Sequence, residues 1–210
     1  TIARLYSGGE LFLHIGVTLY ETVLGFVLGT AAGTLIAITL WWSPAINRVL
    51  DPYLVVLNAL PKIALGPILI VWFGAGITSI IVMALLISFV VTIMSVLAGF
   101  NEITGEKQLL MKTLGASKLQ IFTMVVLPAS LPTIMNALKI SVGMSWVGVI
   151  VGEYLVSKAG LGYLIVYGGQ VFKLDLVMAS IVVLCLLAAL MYYGVAYMEK
   201  KLVRWRMHGG

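Results

Sequence analysis

The sequence predicts an all-α polytopic membrane protein. Three observations carry that expectation. The 210 residues are 61% hydrophobic and 10% charged, where a soluble domain carries about 25% charged residues. Several apolar stretches reach the roughly 20 residues a helix needs to cross the hydrocarbon layer. Those stretches are apolar on every face, whereas the strands of a membrane barrel alternate apolar and polar residues. One transmembrane domain is expected over residues 1–210, with five spans and a polar interruption at 101–128.

Residues 1–15 read as a mixed, interfacial segment with Arg4, Glu10 and His14. The first span is expected over 16–42. Gly25, Gly29 and Gly33 recur there on one helical face, a spacing that lets a second helix approach closely. Trp41 and Trp42 close the span and suit an interfacial belt. Residues 43–52 read as a short polar connection. The second apolar segment, 53–73, is interrupted by Pro61, Gly66 and Pro67. Such a helix needs protein neighbours to satisfy the backbone groups its prolines free. GAGIT at 74–78 is a turn, and the third span covers 79–99.

The interruption reads NEITGEKQLLMKTLGASKLQIFTMVVLP. Two helix-compatible stretches flank Gly115. The first presents Leu109, Leu110 and Leu114, and the second presents Leu119, Phe122, Thr123 and Val126 at helical spacing. Ser117 is placed to cap the second stretch. Leu127-Pro128 is expected to end it and return the chain to the membrane. An amphipathic helix lying on the bilayer shares this pattern. The short apolar face and the glycine break favour a docking loop.

The fourth span, 131–155, is the most polar, with Asn136, Lys139, Ser141, Ser145 and Glu153. Residues 156–172 are rich in glycine and aromatics and read as an external re-entrant or turn element. The last span covers 174–198, before a basic tail. Eight cations, Arg48, Lys107, Lys112, Lys118, Lys200, Lys201, Arg204 and Arg206, fall on one side, against Arg4, Lys158 and Lys173 on the other. The lysine and arginine bias puts the loop and the C-terminus in the cytoplasm. It also puts Thr1 outside with no signal peptide before it, so a further, earlier span is expected.

Ionisable groups at membrane depth are costly and are functional candidates. Lys139 either snorkels to the cytoplasmic interface or faces a pathway. Glu153 lines an outer gate, pairs with Lys158, or holds the 156–172 segment in place. Glu21 is either buried against a lysine or open to an external cavity, and Lys62 is interfacial. If the fourth span lines a translocation path, Asn136, Lys139, Met144, Ser145, Trp146 and Glu153 are the lining candidates. Nothing in the sequence points to catalysis. His14 and His208 fall on opposite sides of the expected membrane, and no phosphate-binding GxxxxGK[ST] loop occurs. Cys185 is the single cysteine and reads as a packing residue.

Gly115, followed after nine residues by Val125, Val126, Leu127 and Pro128, resembles the cytoplasmic loop of binding-protein-dependent ABC importer permeases. That loop begins Glu-Ala-Ala. Leu109, Leu110 and Met111 stand at those positions here, and Val125 stands for an isoleucine. The stretches DPYLVVLNALPKIALGPILIVWFGAG, KTLGASKLQIFTMVVLPASLPTIMNALKISVGMSWVGVIVGEYL and AGLGYLI extend the resemblance over nearly the whole chain. They resemble the permeases for nitrate, sulfonates, taurine and bicarbonate, whose relatives serve thiamine-precursor pyrimidines or riboflavin.

The resemblance implies a type I ABC importer transmembrane domain in a bacterial inner membrane, normally of six spans. It implies a homodimer, two cytoplasmic ATPase subunits that bind the ATP and magnesium, and an external solute-binding protein. No cofactor is expected on this chain itself. Leu114, Gly115, Ala116, Ser117, Leu119, Phe122, Leu127 and Pro128 would form the ATPase-coupling segment. Leu114, Ala116, Leu119 and Phe122 would give apolar contact, and Lys112 and Lys118 would face ATPase carboxylates or solvent. A secondary transporter or channel is the rival reading, and a membrane scaffold a third. The first would need coupling charges and often inverted repeats, and no repeat is visible. A small anion is the expected substrate, with a neutral vitamin precursor as the alternative.

Overall fold

Glycines set the spacing of the bundle. In the computed structural model, which describes residues 10–103 and 105–207, helix α1 spans Glu10–Trp42. It packs along α4, Ile77–Asn101, through the glycine stripe. A Cβ at Gly25 would stand 2.7 Å from the Ala84 Cβ, and one at Gly33 would stand 2.9 Å from the Thr92 Cβ. One at Gly29 would overlap the Ser88 hydroxyl. The stripe brings two backbones together, as the spacing predicts. The hydroxyls on this seam are satisfied within the protein. Ser88 Oγ donates to the Ala84 carbonyl at 3.0 Å, and Thr92 Oγ1 and Ser141 Oγ share a 2.7 Å bond into the next long helix.

That next helix, after the loop, is the centre of the fold. Between α1 and α4 the chain forms α2 (Pro44–Ala59), a 3-10 turn (Lys62–Leu65) and α3 (Gly66–Phe73). After α4 come α5 (Gly105–Thr113), α6 (Lys118–Ile121) and a π-helical turn over Phe122–Val126. The long α7 covers Leu127–Val156, followed by α8 (Leu161–Gln170) and α9 (Leu174–Met207). No strand occurs among the described residues. Among the described residues, four helical stretches are long and apolar enough to cross a membrane, or five if the bent α2–α3 pair is counted as one span. Arg4 and His208 lie outside the described residues.

Several boundaries differ from the sequence expectation: α1 begins at Glu10 rather than 16, and α9 runs to Met207 rather than 198. Residues 43–52 are not a connection but the first half of α2. Ser43 caps it and Pro44 occupies its first turn, where a missing N–H costs nothing. The second segment is therefore longer than 53–73, and it bends by 85° at Leu60–Pro61. Lastly, Leu127-Pro128 does not stop the loop's second helix. The chain stays helical from Lys118 to Val156. The π turn changes the hydrogen-bond register just before Pro128, so the proline sits at the start of the α stretch, where it is tolerated.

Candidate functional site

The loop between α4 and α7 is built from local capping signals. Helix α5 ends in a Schellman motif. The Gly115 amide donates to the Lys112 carbonyl at 3.0 Å, and the Ala116 amide donates to the Met111 carbonyl at 3.0 Å. Gly115 adopts φ +81°, a left-handed conformation glycine takes without a Cβ penalty. Two residues on, Ser117 and Gln120 form a capping box that starts α6. The Ser117 amide donates to Gln120 Oε1 at 2.7 Å and the Gln120 amide to Ser117 Oγ at 3.3 Å. The bend at Gly115 is thus a fixed corner between two capped helices.

The corner sorts the apolar residues into two sets. Leu109, Leu110, Leu114 and Leu119 point outward, Leu114 being 74% exposed. Ala116, Ile121, Phe122 and Val126 face the bundle. Phe122, expected as an outward apolar contact, is only 7% exposed. Its ring lies 5.0 Å from that of Trp41 and 5.5 Å from that of Phe100. Ala116 is likewise half-buried against this core. The cause is the aromatic surface that α1 and α4 present to this side of the loop, with Trp41 and Phe100 against the Phe122 ring. Lys118 is exposed, but its ammonium is engaged by the protein: it donates to the Trp42 carbonyl at 2.5 Å. Leu127 and Pro128 are half-buried at the start of α7.

The six lining candidates on α7 do not share one surface. Asn136 and Met144 are exposed, while Ser145, Trp146 and Glu153 are buried. Trp146 packs with Met135, Val142 and Val195. Ser145 Oγ and Trp146 Nε1 have no hydrogen-bond partner among the described residues. Lys139 forms an ion pair with Glu199 of α9 at 2.9 Å. Glu21 is buried within α1. No group of three or more metal-ligating side chains occurs among the described residues.

Glu153, 1% exposed, belongs to a network at the other end of the bundle. That end lies about 36 Å from the loop by the rise of α1 from Thr18 to Trp42. Thr18 Oγ1 donates to Glu153 Oε1 at 2.7 Å and accepts from the Leu161 amide at 2.8 Å. The Gly162 amide donates to Glu153 Oε2 at 2.5 Å, and the Gly160 amide donates to His14 Nδ1 at 2.8 Å. Two first-turn amides of α8 and the amide before it are therefore held by side chains of α1 and α7, where a capping side chain would otherwise be required. A Cβ at Gly160 would overlap the Glu153 carboxylate. Sequence reasoning missed His14 and Thr18 as partners, because they stand more than 130 residues from the groups they bind. Thr18→Val should cost about 2 kcal/mol by leaving the Leu161 amide and a carboxylate oxygen unpaired. Thermal unfolding in detergent, with proteolysis at the 157–162 turn, checks this.

Known proteins share this architecture. Residues 25–204 match the family model of the binding-protein-dependent transport system inner membrane component. The taurine transport system permease protein TauC of Escherichia coli (strain K12) is 30% identical over 204 residues, covering 97% of this chain and 74% of that protein. The formylaminopyrimidine transport permease protein ThiX of Halalkalibacterium halodurans is 31% identical over 200 residues, covering 95% of this chain and 80% of that one. Among solved structures, an inward-facing MetNI methionine ABC transporter superposes with a TM-score of 0.72 at 20% identity, over 92% of this chain and 94% of that one. This last likeness is one of fold.

Proposed function

The chain belongs to the family of binding-protein-dependent transport system inner membrane components, and from that premise we propose that it moves a small organic or inorganic anion into the cell by alternating access. It is the permease subunit of an ABC importer and a multi-pass protein of the cell membrane. The anion proposed is of the sulfonate, taurine, nitrate or bicarbonate kind. In the proposed assembly two copies of the chain stand side by side, each loop seated on one of two cytoplasmic ATPase subunits. Those subunits hold the ATP and magnesium, and a binding protein delivers solute at the Glu153 end.

The observation that carries this reading is the outward apolar set around Gly115. Leu109, Leu110, Leu114 and Leu119 are exposed on a loop whose corner is fixed by a Schellman motif and a capping box. A soluble partner with an apolar groove can bury that set. ATP-driven closure of two such partners would swing the loops together and open the spans to the outside.

A neutral pyrimidine is the second reading, supported by the comparable identity to ThiX. The test is purification of the tagged chain from its native membrane, followed by uptake in proteoliposomes with the binding protein. An ATPase should accompany the chain, and uptake of taurine or an alkanesulfonate should require ATP. Uptake of a formylaminopyrimidine alone would overturn the anion assignment. A chain that purifies without an ATPase and conducts solute without ATP would overturn the importer mechanism.

A further inference from the structure

The second half of the loop is tied to the first span by a contact that the docking role does not require. Helix α1 has no basic residue in its own last turn. The Thr39 carbonyl still takes the Ser43 amide at 3.1 Å, but helix-terminal carbonyls in general want outside partners, and a cation is favoured there. Lys118, 76 residues further on, supplies it. The ammonium reaches the Trp42 carbonyl at 2.5 Å and stands 5.6 Å from the centres of both the Trp41 and Trp42 rings. That is within the range of a cation–π contact. One turn along, Phe122 packs on the same two indoles. The short α6 thus grips the end of α1 with a charge at one end and a ring at the other.

The first half of the loop is joined differently. Met111 of α5 packs against the bundle core, and a cavity of about 410 Å³ opens beside it, lined by Gln108 and Lys112 of α5, Lys118 and Ile121 of α6, and Trp41 and Asn101 of the bundle. The fixed Gly115 corner joins α5 to α6 as one unit, and α6 is fastened to α1. A push on α5 would then be delivered at the α1 terminus through Lys118.

We propose that Lys118 is the positioning residue that passes loop movement into the first span, by holding the Trp41–Trp42 terminus of α1 against α6. The proposal rests on the importer reading above. The Trp42 carbonyl and the two indoles, rather than the outward leucine set, hold the Lys118 ammonium. Its loss therefore separates transport from ATPase docking.

The experiment compares Lys118→Met, which keeps the apolar stem, and Lys118→Arg with wild type, each as the whole complex with ATPase and binding protein. Lys118→Met should retain the ATPase at wild-type yield and hydrolyse ATP at the basal rate. Its uptake and its stimulation of hydrolysis by the binding protein should fall by about tenfold, the size of an ordinary coupling free energy. Lys118→Arg, which restores a cation over the indoles, should recover most of both. Wild-type uptake in Lys118→Met would overturn the proposal. So would loss of the ATPase from that variant, which would make Lys118 a docking contact. An arginine variant as defective as the methionine one would also overturn it. A wild-type chain that purifies without an ATPase overturns the importer reading itself, and this result is separable from the others because no variant is needed to see it.

Discussion

Aspartate at both Leu110 and Leu114 is expected to release the ATPase and abolish uptake, while the permease folds as before. Both leucines are exposed at the Gly115 corner, so neither contributes core packing. Burying one leucine in a partner groove is worth about 1.5–3 kcal/mol. Losing two removes at least about 3 kcal/mol, and desolvating two carboxylates adds to the penalty. Every 1.4 kcal/mol is about tenfold in affinity, so docking should weaken by more than about a hundredfold. Pull-down of the ATPase subunit, size-exclusion profile and uptake read the three consequences. Phe122→Asp is the contrasting control. Phe122 sits in the aromatic cluster with Trp41 and Phe100, so its charge is buried and the folded yield itself should drop. An aspartate pair that still retains the ATPase would remove the outward set from the interface.

The difference between these two variants also marks what can be read without a structure. Hydropathy and the glycine stripe of α1 disclose the spans and one of their seams, because both are periodic features of a single segment. The corner at Gly115 is legible for the same reason: the glycine, the following serine and the apolar runs on either side are local signals. Which way the loop's residues face is not local. Phe122 and Leu119 have equal standing in a hydrophobic pattern, and only the rings of Trp41 and Phe100, from two other helices, draw Phe122 inward. Lys118 reads as one more cation in a basic loop until the carbonyl of Trp42 is seen beside it. Helix α2 was hidden in a different way. Arg48, Asp51 and Pro52 give residues 43–52 the composition of a connection. The Ser43-Pro44 start signal was present, and it outweighs that composition. At the far end, the partners of Glu153 come from Thr18 and Gly162, and only the folded chain joins them.

The second large effect is expected at Gly148, where three helices meet over Ala84. Ala84 of α4 is fully buried. A Cβ on Gly25 of α1 would stand 2.7 Å from its Cβ, and one on Gly148 of α7 would stand 2.5 Å from its Cα and 3.0 Å from its amide nitrogen. One turn on, a Cβ on Gly152 would stand 3.0 Å from the Ile80 Cα. The obstacle at Gly148 is therefore backbone, and no rotamer change can clear it. Inside a bilayer the lipid tails are as apolar as the side chains, so helices are held by close packing rather than by expulsion of water. A leucine at Gly148 must drive α7 away from α4, and the seam through Thr92 and Ser141 parts with it. Overpacking a well-filled site costs about 1–3 kcal/mol, and here the strain falls on the main chain of two helices. Gly148→Leu should thus lower the melting temperature in detergent sharply and reduce the monodisperse yield. Gly143→Leu, five residues earlier on the same helix, meets nothing within 4 Å and should be close to neutral, since leucine is the better helix former. Equal stability of the two variants would mean that α4 and α7 do not touch backbone to backbone.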